Sequence, residues 1–122
     1  VAVITEGLLG MGILKGSLQN LIQTEAYRPY YMHKTGHWLG IDVHDVGDYK
    51  IADQWRVFEP GMVTTIEPGL YFSASTKGLS KKWHNIGIRI EDDVLVTASG
   101  CDVLSDAPKT VKEIEDLMRA AH

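Results

Sequence analysis

Val1, Ile4, Leu8 and Met11 fall three and four apart, the spacing of one helical face. This pattern predicts a helix over 1–14, closed by Gly12 or Gly16. Ser17 is a capping residue for a short second helix over 18–25. Arg28-Pro29 ends that helix, because a proline pushes the residue before it away from helical angles. The pattern then changes to runs rich in β-branched and aromatic residues, at 36–44, 62–67, 69–72, 86–91 and 93–97, with a short one near 101–104. EPGM at 59–62 and EPGL at 67–70 supply turn chemistry. Thr110 and Glu113 form a capping-box pattern, and Val111, Ile114, Leu117 and Met118 make one apolar stripe, so an amphipathic helix follows. Helices flanking a mostly antiparallel sheet define an α+β fold. No cap precedes Val1, so the chain reads as starting inside a helix, as a part of something longer.

Composition narrows the function classes. The 122 residues suit one small domain, 44% hydrophobic and 23% charged. A net charge of −4 argues against a nucleic-acid partner, and the one basic cluster, KGLSKK at 77–82, reads as a solvated loop. Cys101 is the sole cysteine, which excludes an internal disulfide and a CxxC site. It reads as a small buried packing residue and fits a reducing, cytoplasmic setting. No apolar run approaches the roughly 20 residues of a membrane span, so no membrane partner is expected. GMGILKG at 10–16 has the wrong glycine spacing for a dinucleotide loop, and a helix pattern stands where a strand is required.

The candidate chemistry lies in TGHWLGIDVHDVG at 35–47 and in two glutamates. Strand parity puts Glu67 on the face of Val63, and Glu91 on the face of Gly87 and Arg89. Both carboxylates end apolar strands, so each needs a cation, a donor or open water. Taken singly, each fits a salt bridge or solvation. Together with His37 they make a reasonable set for a divalent metal. His33 and His37 have helical metal-site spacing, but Gly36 and Gly40 argue against a helix. His37 and His44 would face opposite ways on a straight strand, and Gly40 is the hinge that could turn the chain between them. The apolar residues of this stretch are expected to be sheet core.

GHWLGIDVHDVG, EPGMVTTIEPGLYF and IGIRIEDDVLVTASG closely resemble the C-terminal part of aminopeptidase P, an Xaa-Pro aminopeptidase of the pita-bread metallopeptidase family. GILKG, YRPYYMH and the PKTVKEIEDLM tail extend the resemblance over essentially the whole chain. It implies the C-terminal half of a pita-bread (creatinase/aminopeptidase) fold, so residues 1–122 would be a partial catalytic domain lacking the upstream half and the N-terminal domain. It also implies two divalent metal ions, usually manganese. By motif, His37, Glu67 and Glu91 look like metal ligands, Glu91 bridging both ions. His44 resembles the histidine that contacts the substrate and stabilises its oxyanion. His33 resembles one lining the pocket for the substrate's proline, and Arg89 an arginine that pairs with a ligand aspartate; with His44 these two are the substrate-binding candidates. Glu67 would also shuttle a proton to the leaving nitrogen. The implied reaction is release of the residue before proline by a metal-bridging hydroxide. Two ligand aspartates of the family lie upstream, and Asp42, Asp45 and Asp48 cannot replace them in order. HKTGH also carries Lys34 where the family pattern has glycine. The chain alone is therefore expected to hold metal weakly or not at all, to be inactive, and to self-associate. Prolidase, cleaving Xaa-Pro dipeptides, and a non-catalytic binding module of this fold are the alternatives. The short spacer DYKIADQWRVFEPGM favours aminopeptidase P over prolidase.

Overall fold

The computed structural model describes residues 1–121. Its elements in order are α1 (Ala2–Gly10), α2 (Leu18–Gln23), β1 (Lys50–Ile51), β2 (Gln54–Trp55), β3 (Val63–Ile66), β4 (Gly69–Phe72), a 3-10 turn (Lys81–Trp83), β5 (Ile86–Arg89), β6 (Asp92–Thr97), β7 (Gly100–Val103) and α3 (Val111–Ala120). The chain divides into two compact units. One comprises Val1–Thr35 and Pro68–Arg89, the other Gly36–Glu67 and the chain from Ile90 onward.

The first unit holds α1, α2 and the antiparallel pair β4–β5, in which Gly69 faces Arg89 and Phe72 faces Ile86. Leu8, at 0% exposure, packs with Tyr30 and Phe72, and Ile4, Leu14, Leu70 and Trp83 close around them. Burying a leucine side chain is worth about 1.5–3 kcal/mol, so this cluster anchors the unit. Helix α1 ends at Gly10, four residues before the expected 14. Gly12, at φ +70°, closes it: the Gly12 N–H donates to the Leu9 carbonyl and the Ile13 N–H to the Leu8 carbonyl. Helix α2 starts as expected, Ser17 accepting from the Asn20 N–H. It stops at Gln23, well before Pro29, because Glu25 adopts φ +54° and sends Ala26 N–H back to Leu21.

The second unit holds the antiparallel sheet β3–β6–β7, the hairpin β1–β2 and α3. Val63 pairs with Leu95 and Val96 with Cys101, and the turn at Glu59–Met62 forms as its proline and glycine dictate. Strands 62–67, 69–72 and 93–97 sit where the pattern put them, within a residue. The run 86–91 gives a strand only to Arg89, and Ile88 on it is largely exposed. EPGL forms no hairpin turn: Glu67-Pro68 lies between β3 and β4, which pair with different strands.

The segment 36–44 is not a strand. Its one bridge joins Trp38 to Thr64, after which the chain loops, closed by the Asp45 N–H on the Trp38 carbonyl. Ile41 and Val43 are exposed rather than sheet core, and Trp38 and Leu39 are half-buried. Cys101 is also exposed, because it lies on β7 at the edge of its sheet. The α3 stripe forms on the expected helix, yet Val111, Leu117 and Met118 are solvent-facing.

Candidate metal centre

The second unit brings one donor atom each of His37, Glu67 and Glu91 within 4.8 Å of one another. Each arrives by a different device. Glu67 follows β3 directly, and Glu91 directly precedes β6. The start of β6 is pinned from its far side. The Asp92 carboxylate accepts from Lys109 Nζ at 2.9 Å and from the Ser105 hydroxyl at 2.7 Å, while the Asp93 N–H donates to Ser105. Lys109 first, and then Ser105, holds the Asp92 carboxyl below the usual carboxylate range.

His37 is held on three sides. Its N–H donates to the Thr65 hydroxyl, and its carbonyl accepts from the Thr65 N–H and the Thr64 hydroxyl. Its Nδ1 lies 2.9 Å from the Trp38 carbonyl. A carbonyl only accepts, so Nδ1 carries a proton, and in the neutral ring Nε2 presents its lone pair. That lone pair faces Glu67 Oε1 at 3.3 Å, both side chains being well shielded. Two facing lone pairs repel; a cation between them, either a proton or a metal ion, relieves the conflict. The donor set therefore fits a divalent ion in both geometry and chemistry. Among the described residues this is the one such group.

His44 joins the same neighbourhood. Its ring stands edge-on to His37, centroids 4.2 Å apart, and it is exposed, outside the donor group. Gly40 supports this turn less by backbone freedom than by lack of a side chain, because a Cβ there would collide with the Asp45 carboxylate. His33 and Arg89 belong to the first unit. His33 stands edge-on to Tyr31 and Tyr71; its Nδ1–H donates to the Lys34 carbonyl, so its Nε2 accepts from the Tyr71 hydroxyl at 3.0 Å. Arg89 ends β5. Thr65, the residue that touches both His37 and Glu67, was not among the candidates. Strand parity could have found it, since it shares a face with Val63 and Glu67.

Residues 7–98 match the model of metallopeptidase family M24. The chain belongs to that family. The Xaa-Pro aminopeptidase of Escherichia coli K12 is 48% identical to this M24 chain over 122 residues, covering 99% of it and 27% of that protein. Human Xaa-Pro dipeptidase is 37% identical over 141 residues, covering 93% and 29%. The solved structure of Pseudomonas aeruginosa aminopeptidase PepP superposes with a TM-score of 0.93 at 56% identity, over 98% of this chain and 27% of that one. The M24 chain therefore has the α+β pita-bread fold over the part it spans, and it spans about a quarter of the length of these relatives. No helix among the described residues is long and apolar enough to cross a membrane.

Proposed function

We propose that this chain is the C-terminal part of the catalytic domain of an Xaa-Pro aminopeptidase, and that His37, Glu67 and Glu91 supply part of a two-metal site. The observation that carries the reading is the facing pair His37 Nε2 and Glu67 Oε1 with Glu91 alongside, on a chain 48% identical to a protein of that name. Divalent ions held there, manganese by the family pattern, would supply an activated water and polarise the scissile carbonyl. His37 would bind through Nε2, its ring fixed by Trp38. His44, edge-on and exposed, would offer its imidazole to negative charge developing on the substrate. Glu67 would return a proton to the leaving proline nitrogen. His33, set between two tyrosines, and Arg89 would bind the substrate. Upstream aspartates would complete the metal set. The chain alone would then be inactive, metal-poor and prone to self-association. A cytoplasmic setting fits one exposed thiol with no disulfide partner.

A chimera tests this. The matching segment of the Pseudomonas aeruginosa relative is replaced by this chain, and hydrolysis of Xaa-Pro-Xaa and Xaa-Pro peptides is measured with manganese. Turnover of the longer peptide, lost in Glu91→Ala and absent from the isolated chain, is expected. Preference for the dipeptide would favour the dipeptidase reading, which the 37% match to the human enzyme keeps in play. No turnover of either peptide by a folded chimera would favour a binding module.

A further inference from the structure

Thr65 lies inside β3 at 2% exposure, so it is shielded from solvent. It accepts from the His37 backbone N–H at 3.0 Å and donates to Glu67 Oε1 at 2.9 Å. A carboxylate only accepts and an amide N–H only donates, so the direction of both bonds is fixed. The oxygen it holds is the one that stands 3.3 Å from His37 Nε2. The Thr65 backbone N–H also donates to the His37 carbonyl at 2.9 Å. One residue thus grips the histidine by its backbone, at both amide groups, and the glutamate by its carboxylate.

We infer that Thr65 is a positioning residue whose hydroxyl sets Glu67 Oε1 against His37 Nε2. The inference rests on reading those two residues as metal ligands, and it deepens that reading. Removing the hydroxyl takes the acceptor from the partly buried His37 N–H and one of its bonds from the Glu67 carboxylate. Partners behind metal ligands commonly carry 10–100-fold in affinity. Thr65→Val keeps the shape and removes the bonds, whereas Thr65→Ser keeps the bonds and removes a methyl group.

The test is NMR on the chain, where paramagnetic broadening detects even the weak manganese binding expected of an incomplete ligand set. Without metal, the His37 ring nitrogens and the Glu67 carboxyl carbon are compared in wild type, Thr65→Val and Thr65→Ser. With manganese added, paramagnetic broadening around His37 gives the binding midpoint. Thr65→Val is expected to shift both metal-free signals and to raise the midpoint about 10-fold or more, with Thr65→Ser within roughly threefold of wild type. Val and wild type agreeing in metal-free signals and midpoint would overturn the inference, as would Ser behaving like Val. His37→Ala separates the two readings: if it leaves the manganese midpoint unchanged, the ligand reading of His37 fails, while the metal-free comparison still decides the role of Thr65. Should Thr65→Val not fold, the wild-type hydroxyl proton is the second measurement. Slow exchange and a through-space contact to the His37 amide are expected, and a rapidly exchanging proton would overturn the inference.

Discussion

Gly36 has no room for a side chain: a Cβ there would strike the Thr65 carbonyl oxygen. Backbone cannot swing aside as a flexible side-chain end can, so the segment carrying His37 would have to move. Overpacking of this kind costs about 1–3 kcal/mol. Gly36→Ala should lower the urea midpoint accordingly and disturb the His37 ring signals. Gly100→Ala, where a Cβ meets nothing within 4 Å, is the control and should leave both nearly unchanged. Equal effects from the two substitutions would show that the Thr65 contact is not what excludes a side chain. Gly47 has a related constraint, since a Cβ there would press on the Trp38 ring. The histidine stretch thus carries glycines at close approaches, and the hydrophobic pattern alone does not announce that.

Helix α3 shows how strongly a local signal can be written. Thr110 accepts from the Glu113 N–H, and the Glu113 carboxylate accepts from the Thr110 N–H and hydroxyl and the Lys109 N–H. The Thr110 bonds, backbone first, hold the Glu113 carboxyl below its ordinary value of 4.5. With the folded value depressed, this stabilisation is fully present above about pH 4.5 and is lost as pH falls through the folded value. Carbon chemical shifts of 110–114 followed from pH 6 to pH 2 should show the first turn loosening only below 4.5. In Glu113→Gln that acid step should vanish. Thr110→Ala should cost about 1 kcal/mol in the same element. The β1–β2 hairpin is the opposite case. Its two-residue loop needs left-handed backbone at Ala52 (φ +47°) and Asp53 (φ +63°), where Asn-Gly is the usual signal. Alanine gives no such hint, so the hairpin was invisible in the sequence. The overlong helices have a similar cause. Apolar spacing continues past the point where Gly12 and Glu25 turn left-handed, and spacing says nothing about φ.

Across the whole chain, the candidate donor cluster was more legible than the packing around it. His37, Glu67 and Glu91 were marked by motif and parity, and the structure brings them together. Burial was overestimated at Ile41, Val43 and Cys101, because apolar periodicity reports which face could be covered rather than what covers it. Two apolar surfaces of the second unit stay open. One is the α3 stripe, and the other is a groove of about 430 Å³ lined by Phe58, Ile66, Val94, Val96, Cys101 and Val103. Exposed apolar surface of this kind favours association. Light scattering at micromolar concentration should show species larger than the monomer, reduced by Leu117→Glu. A monomer across that range would mean that water tolerates these faces.

Cys101 turns that groove into something that can be watched. It is the chain's sole thiol, exposed on β7, and it lies in the groove wall. A maleimide dye or nitroxide will therefore attach at one known point, with no background to engineer away. When another surface seats itself there, the label should lose mobility, and thiol reactivity before labelling should slow in step with concentration. The residue that looked inert in the sequence is the natural place for a reporter.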